Sequence, residues 1–397
     1  MNNRESSINS LNECVTIEDL RYLAKKRIPR MVFDFIDGGS EDEVTLRDNM
    51  DSFRNIKMIP RVLRDVGSRD QTVSIFGEKV RTPIIFSPTG LPGIIHPEAE
   101  IMAASVAGEL GTIFTVSSAS THSIEAIADR TTAPLWFQLY PWKDRKVIGN
   151  LIERASKNSY QALCVTVDVP VNGGRERDFY NGMMLPPKIN LRNIIDVVTK
   201  PSWCIRHLTG SPVTLANLAG IDGAPGKSVS TLAAWAQQLL YPSFCWDDLK
   251  WIREMWHGPL IVKGILSADD ALLAARCGAN GIVVSNHGGR QLDGAASSID
   301  VLPGIASAVG DKLEIMMDGG VRRGIDVIKA KALGAKACMI GRPYLYGMAA
   351  GGEQGIRKAL NTLSNEIDRG LALTGHQRFD QIDFSILHRK CHTFAQL

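Results

Sequence analysis

The stretch PLIVKGILSADDALLAARCGANGIVVSN (residues 259–286) decides the fold, because two apolar runs flank one helix-length segment. The runs 259–265 and 280–286 are rich in Ile and Val and do not alternate between polar and apolar residues. Such runs are typical of parallel strands that are buried on both faces. The amphipathic segment between them (267–277) ends before Gly278, and glycine commonly follows the last helical turn. The stretch therefore predicts a strand, a helix and a second strand.

The same pattern recurs until the chain contains eight apolar runs. The other six are TPIIFSP (82–88), GTIFTVSS (111–118), PLWFQLY (134–140), ALCVTVD (162–168), LEIMMDGG (313–320) and KACMIGRP (336–343). Eight strand–helix units predict an α/β fold, the closed (β/α)8 TIM barrel, in preference to an open doubly wound sheet. The first run also leads into SPTGLPG, which lacks the GxGxxG fingerprint of a dinucleotide-binding sheet.

The spacing of the runs indicates one barrel domain that spans residues 1–397. We expect residues 1–80 to form a helical and turn-rich prelude. The longest gap between runs predicts an insertion after the fourth strand, at about 177–240. Residues 344–397 should form one or two closing helices and a tail.

Composition narrows the class of protein. With 397 residues, 44% of them hydrophobic and 22% charged, the chain can form a large core. The formal net charge of +3 argues against a nucleic-acid binder. The seven cysteines include no CxxC pair, so we expect a reducing, cytoplasmic compartment and assign no metal ligands. The polar N-terminus does not resemble a secretory signal, and no run of 18 apolar residues predicts a membrane-spanning helix.

Polar residues stand at the end of each predicted strand. In a barrel of this kind, the carboxyl ends of the strands and the loops after them carry the active site. We therefore expect the following residues on one rim: Thr89 and Gly90, Ser117, Gln138 and Tyr140, Thr166 and Asp168, Lys263, Ser285 and His287, Asp318, Gly319 and Gly320, and Gly341 and Arg342.

Four of these strand ends predict specific chemistry. In SNHGGRQLD (285–293), two glycines separate His287, which can take a proton near neutral pH, from Arg290, which can hold a carboxylate by two hydrogen bonds. The segments DGGVRRG (318–324) and IGRP (340–343) follow the last two strands, where barrels commonly bind phosphate. At the end of the fifth strand, Lys263 could stabilise a reduced flavin or form a Schiff base.

The chain resembles the family of FMN-dependent 2-hydroxy-acid dehydrogenases and oxidases, which includes glycolate oxidase, L-lactate dehydrogenase and (S)-mandelate dehydrogenase. The resemblance begins at KRIPRMVFDFIDGGSEDEVTLRDN (26–49) and reaches the last barrel helix. It rests on SNHGGRQLD, VKG (262–264), WFQLY (136–140), TVD (166–168) and DGGVRRG. The stretches NGGRERD (172–178) and PSWCIRHL (201–208) most resemble the membrane-associated bacterial mandelate and lactate dehydrogenases.

The resemblance implies oxidation of an (S)-2-hydroxy acid, mandelate- or lactate-like, to the 2-oxo acid. Electrons would pass to FMN and then to a quinone-like acceptor or oxygen, in a homo-tetramer. His287 would be the base and Asp168 its partner, Arg175 and Arg290 would bind the substrate carboxylate, and Tyr140 would contact the substrate oxygens. Lys263 would lie beside the flavin N1 and O2 atoms. The implied FMN contacts are Thr89, Gly90, Ser117, Gln138, Thr166, Lys263, Ser285, Asp318, Gly319, Gly320, Arg322, Gly341 and Arg342.

Three positions bear on substrate and acceptor. Phe35 stands where family members usually carry a tyrosine that contacts the substrate carboxylate. Either Arg175 and Arg290 hold the carboxylate alone, or the natural substrate differs, as it would in a specialised biosynthetic oxidase. Ala119 replaces a bulky tryptophan of some oxidases, and Gly90 matches the dehydrogenase members, which favours dehydrogenase activity.

Other functions remain as alternatives. Another FMN- or phosphate-binding barrel, similar to IMP dehydrogenase or an isoprenoid isomerase, would lack the His-Gly-Gly-Arg pair. A non-catalytic barrel would have lost the proton-accepting His287 or the carboxylate-binding Arg290, yet both residues are present.

The insertion itself carries a basic amphipathic segment. PKINLRNIIDVVTKPSWCIRHLTGSPVTLANLAG (187–220) mixes apolar residues and Trp203 with Lys188, Arg192, Lys200 and Arg206. Such a segment can lie on an anionic bilayer, which would place the protein on the inner membrane surface. It can equally pack as a lid over the substrate, and the two roles are compatible.

Overall fold

The computed structural model describes residues 7–183 and 190–388. Its centre is a closed barrel of eight parallel strands, in the order β10-β3-β4-β5-β6-β7-β8-β9. Each of the eight predicted runs contains one barrel strand, so the predicted fold class is confirmed. The strands of the chain are β1 Val73–Ile75, β2 Glu78–Val80, β3 Ile84–Phe86, β4 Phe114–Ser117, β5 Leu135–Leu139, β6 Ala162–Thr166, β7 Leu260–Ile265, β8 Gly281–Val284, β9 Glu314–Met317 and β10 Ala337–Ile340.

Some helices of the described residues alternate with the barrel strands, and others lie in the prelude and in the insertion. They are α1 Ile17–Arg27, α2 Arg30–Asp37, α3 Val44–Asn55, α4 Ala99–Leu110, α5 Ile124–Ala128, α6 Arg145–Lys157, α7 Glu176–Tyr180, α8 Leu191–Val198, α9 Pro201–Thr209, α10 Val229–Gln238, α11 Trp246–Met255, α12 Ala268–Arg276, α13 Ser298–Val309, α14 Gly324–Ala332 and α15 Arg342–Thr374. Short 3-10 turns lie at Leu11–Glu13, Pro92–Ile94, Phe379–Gln381 and Phe384–Ile386.

The barrel strands are buried along nearly their whole length, which explains their uninterrupted apolar sequences. Helix α6 shows how the covering layer is specified. Asp144 caps its first turn by accepting from the Lys146 N–H, and Val147, Ile148 and Leu151 form its buried stripe. The closing helix α15 leaves helical geometry at Gly351 and Gly352.

The prelude contains helices α1 to α3 and also the antiparallel hairpin β1–β2, which the sequence did not predict. The Phe76 ring at the hairpin turn lies 5.7 Å from the Trp136 ring. A Cβ on Gly281 would lie 2.6 Å from the tip of Phe76, so the ring fits because that strand begins with glycine. The hairpin therefore packs on the amino-terminal ends of the strands, away from the predicted rim.

Helix α2 ends against the opposite, carboxyl-terminal rim. The Arg342 guanidinium donates to the carbonyls of Ile36, Asp37 and Gly38 at the end of α2, and to the carbonyl of Gly288. The prelude is thereby joined to the loops after β8 and β10.

The Asp37 carboxylate strengthens this junction. It accepts from Arg21 and Arg177 and from the Tyr346 hydroxyl. Burial opposes its ionisation, but these hydrogen bonds and charges outweigh burial and lower the pKa of Asp37 below its ordinary value.

The insertion follows β6 and includes α7 to α10. Lys188, one of the predicted basic residues, lies outside the described residues. No helix within 7–183 and 190–388 is long and apolar enough to cross a membrane.

Candidate active site

His287 and Asp168 meet at the carboxyl rim of the barrel. The His287 Nδ1 atom lies 2.9 Å from Asp168 Oδ1. Burial opposes ionisation of Asp168, but the charge and hydrogen bond of His287 more than offset it and lower the pKa of the carboxyl. An ionised Asp168 holds the proton of the neutral imidazole on Nδ1, which leaves the Nε2 lone pair free to accept a proton.

The loop after β8 is shaped by three successive residues with positive φ, namely His287 (59°), Gly288 (65°) and Gly289 (73°). A Cβ on Gly289 would lie 2.6 Å from the backbone N of Leu46 in α3, so glycine is required there. Left-handed geometry is unfavourable for a histidine, and the Ser285 hydroxyl helps to hold it by accepting from the His287 N–H at 3.0 Å.

Lys263 is buried at the end of β7. Its Nζ atom donates to Ser285 Oγ at 2.9 Å and lies 3.1 Å from Asp318 Oδ2. Burial alone would lower the pKa of Lys263, but Asp318 and Asp168 outweigh it and raise the pKa above its ordinary value. A Schiff-base lysine must lose its proton to attack, so this environment disfavours that alternative and favours a fixed positive charge.

Arg290 and Arg175 both lie close to the Phe35 ring. The centres of their guanidinium groups are 5.3 Å and 5.6 Å from the Phe35 ring centroid. Arg290 also donates to the Phe35 and Gly38 carbonyls at 2.8 and 3.0 Å. Its enclosure, together with the nearby Arg175 and Arg342 charges, lowers the pKa of the Arg290 guanidinium. The cluster of cations therefore favours a bound anion.

Tyr140 lines the same cleft as Phe35 and the two arginines. Its enclosure and the Asp168 charge raise the pKa of the phenol. The hydroxyl consequently remains protonated near neutral pH and can donate to an oxygen of a bound molecule.

The cleft extends to the ends of β9 and β10. Its lining there includes Gly319, Gly320, Arg322, Gly341 and Arg342. A Cβ on Gly320 would lie 2.0 Å from the Asn49 carbonyl oxygen, so only glycine fits between this loop and α3. Backbone N–H groups and two arginines thus border the part of the cleft where the sequence predicted a phosphate.

Gln138 Nε2 and Thr166 Oγ1 are among the buried side-chain atoms that have no hydrogen-bond partner within the described residues. Gln138 Oε1 is already held by the Ser117 hydroxyl at 3.0 Å, and Thr166 pairs with Lys263 across the β6–β7 register. An orphaned donor at a strand end is satisfied when a polar ligand binds. These atoms fit the polar edge of a flavin ring placed beside Lys263.

The predicted residues thus fall into two groups. Those that line the cleft are Phe35, Thr89, Gly90, Ala119, Tyr140, Arg175, Lys263, His287, Arg290, Asp318, Gly319, Gly320, Arg322, Gly341 and Arg342. Ser117, Gln138, Thr166 and Ser285 are buried at the ends of their strands, and Asp168 lies behind His287.

The insertion supplies cleft residues that the sequence analysis did not identify: Leu215, Ala233, Ala236 and Gln237. No motif marks them, because their positions depend on how the chain returns to the barrel after α9. Gly90 leaves room for one further carbon, because a Cβ there would lie in ordinary contact, 3.4 Å from the Ala119 Cβ. Among the described residues, no group of three His, Cys, Asp or Glu side chains is arranged to hold a metal ion.

Comparison with known proteins agrees with this geometry. A family model described as FMN-dependent dehydrogenase matches residues 24–389. The chain is 42% identical to an L-lactate dehydrogenase of Alcaligenes faecalis over 94% of this chain and 98% of that protein. It is 40% identical to an L-lactate oxidase of a Nostoc species, over 96% and 99%. A crystal structure of (S)-mandelate dehydrogenase, described as a monotopic membrane protein, superposes with a TM-score of 0.91 at 37% identity, covering 94% of this chain and 99% of that one.

We predict that Thr166→Val weakens FMN binding about two- to tenfold, because it removes a hydroxyl that only a ligand would satisfy, a hydrogen bond worth roughly 0.5–1.5 kcal/mol. The apoprotein should be equally or more stable, since the buried hydroxyl has no protein partner. Quenching of FMN fluorescence and thermal melting measure the two effects.

Thr115→Val is the matched control. Thr115 also carries a buried, unpartnered hydroxyl, but it lies two residues before Ser117 on β4 and so deeper in the barrel. This variant should retain normal FMN affinity. Equal FMN affinity of Thr166→Val and the unaltered protein would place the flavin elsewhere.

Proposed function

Because the chain belongs to the FMN-dependent dehydrogenase family, we propose that it oxidises an (S)-2-hydroxy acid of the lactate or mandelate kind to the 2-oxo acid. One observation carries this proposal: the imidazole of His287, backed by Asp168, faces the same cleft as the guanidinium groups of Arg175 and Arg290. A proton acceptor beside a carboxylate-binding pair is what the oxidation of a 2-hydroxy acid requires.

We assign a separate role in this reaction to each residue of the cleft. Arg290 and Arg175 bind the substrate carboxylate, and Tyr140 donates to a substrate oxygen. His287 accepts a proton at Nε2, from the hydroxyl if a hydride leaves the substrate carbon or from that carbon if a carbanion forms. Asp168 then stabilises the imidazolium through Nδ1. FMN, when bound, accepts the two electrons that leave the substrate carbon. Lys263 supplies a fixed positive charge at the end of β7.

The electron acceptor is the next question. The relatives include proteins named dehydrogenases and one named an oxidase, so their names are compatible with either a quinone-like acceptor or oxygen. The space between Gly90 and Ala119 supports our preference for a dehydrogenase with a quinone-like acceptor. Phe35 supports the second candidate, a specialised biosynthetic oxidase with an unusual substrate. The homo-tetramer stays a prediction.

We also propose that the insertion rests on a membrane surface. On α8, Leu191, Ile194, Ile195 and Val198 follow helical spacing and form one face, yet all four are exposed. On α9, Leu208 is exposed over 84% of its area. An apolar face of this kind, close to basic residues, supports contact with an anionic bilayer, while the cleft residues of the same insertion support the lid role.

The first test is the reaction itself. Anaerobic addition of (S)-lactate or (S)-mandelate should bleach the flavin absorbance of the holoenzyme. His287→Gln should slow this reduction about 10²–10⁴-fold while FMN stays bound, because the general base is lost. His257→Gln, a change at an exposed histidine, should leave the rate unaltered. If the flavin of His287→Gln were reduced at a near-normal rate, another residue would have to be the base.

A second test concerns Phe35. Phe35→Tyr should strengthen the binding of small or aromatic 2-hydroxy acids up to about tenfold, because a phenol close to both guanidinium groups can add a hydrogen bond to the carboxylate. Dissociation constants for lactate, mandelate and 4-hydroxymandelate measure the effect. The control is Phe179→Tyr on α7, an exposed ring. If none of the three acids binds differently to Phe35→Tyr, the ring does not face the carboxylate.

A third test addresses the membrane. The double variant Val198→Glu with Leu208→Glu should lower binding to anionic phospholipid vesicles at least about tenfold, since two apolar side chains would no longer insert. Vesicle co-sedimentation measures it, and flavin content should not change. The control is Val62→Glu with Leu63→Glu, which alters two equally exposed apolar residues of the prelude. If both double variants lost vesicle binding equally, the loss would come from the added negative charge and not from a specific apolar surface.

A further inference from the structure

Asn217 is a fully buried polar residue of the insertion. Its Nδ2 donates to the Ser120 hydroxyl at 3.1 Å and to the Ser117 carbonyl at 3.3 Å. Its Oδ1 accepts from the Ile124 N–H at 2.9 Å. One amide thus joins the insertion to the segment that runs from the end of β4 into α5.

The backbone around Asn217 is held in the same place. The Ala216 N–H donates to the Ser120 carbonyl at 3.2 Å. Arg154 on α6 donates to the Asn217 carbonyl at 3.1 Å and forms a two-pronged ion pair with Glu125 on α5. The returning chain is therefore fixed to the barrel at Asn217, although neither helix α8 nor helix α9 has a buried residue.

Leu215 precedes Asn217 by two residues and lines the cleft. The Ser120 residue that holds Asn217 immediately follows Ala119, and Ala119 lines the cleft as well. Leu215, Ala119 and Ala233 are apolar residues of the cleft lining, which also includes the two arginines proposed to bind the carboxylate. A substrate whose carboxylate is bound by the arginines places an apolar substituent most favourably against the apolar lining residues.

We propose that Asn217 is a positioning residue for substrate selection. It fixes Leu215 as the wall that contacts the substituent on the hydroxyl-bearing carbon, so that aromatic substituents depend on Asn217 and a methyl group does not. The inference deepens the proposed function and rests on it. Asn217 acts through Leu215 and does not contact the substrate.

The test uses the FMN-loaded full chain and two non-reacting carboxylates, phenylacetate and acetate. Leu215→Ala should raise the dissociation constant of phenylacetate about tenfold, because a buried apolar contact is lost, and that of acetate less than about twofold. Asn217→Ala should produce the same selective loss, about three- to tenfold for phenylacetate. The double variant Leu215→Ala with Asn217→Ala should bind phenylacetate no more weakly than Leu215→Ala alone, because the two changes act on one contact. Perturbation of the flavin absorbance reports binding without turnover.

Two controls separate positioning from general destabilisation. Leu218→Ala removes an equally buried leucine that does not line the cleft, so it should lower the melting temperature and leave the phenylacetate-to-acetate ratio unchanged. Thr214→Val removes only the exposed hydrogen bond to the Lys227 carbonyl. It should change neither the melting temperature nor the phenylacetate-to-acetate ratio. In turnover, Asn217→Ala should raise KM for (S)-mandelate more than KM for (S)-lactate.

The outcomes are distinguishable. If Asn217→Ala weakens both carboxylates equally, or lowers only the melting temperature as Leu218→Ala does, the positioning role is overturned. If no 2-hydroxy acid bleaches the flavin of the unaltered protein, the proposed function fails. An unchanged phenylacetate-to-acetate ratio in a protein whose flavin is bleached overturns this inference alone.

Discussion

Enclosed positive charge at the carboxyl rim of the barrel is the constraint on which the rest of this structure depends. Lys263 has Asp318 as its partner, and Arg342 donates to four backbone carbonyls. Among the described residues, the hydrogen bonds of Arg290 go to backbone carbonyls, and its guanidinium lies near the Phe35 ring. Cations in such surroundings are unfavourable until an anion arrives. The loops that enclose them therefore favour the binding of anions, which supports the carboxylate and phosphate sites that we propose.

The prelude and the insertion matter because they enclose that charge. A bare barrel would leave the rim open to water, which would screen the arginines and compete for the carboxylate. Helix α2 places Phe35 and its carbonyl oxygens against Arg290, and the insertion places Leu215 and Ala233 over another part of the cleft. The same insertion leaves the apolar face of α8 exposed. One segment therefore supplies residues that line the cleft and also the apolar surface that we propose contacts a membrane.

Sequence patterns predicted most of the barrel and much of the rim. Continuous Ile- and Val-rich runs located all eight strands, since burial on both faces requires such runs. Strand ends located Lys263, Asp168 and His287, because parallel strands in a barrel bring their carboxyl ends together. The hairpin β1–β2 was missed: its strands have three residues each and carry no long apolar run.

The sequence by itself determined which residues can do chemistry here: an imidazole and arginines on a glycine-rich loop, a lysine at a strand end, and glycines beside a phosphate-binding turn. Only the tertiary structure decided how they are coupled. The Lys263 charge is set by Asp318, a residue 55 positions away in the chain, and the choice between a Schiff base and a fixed cation follows from that contact. The sequence patterns did not identify Leu215 and Asn217, because the roles that we propose for them depend on long-range contacts with Ser117, Ser120 and Ile124. Periodicity records local burial, whereas a contact between distant segments exists only once the barrel has closed.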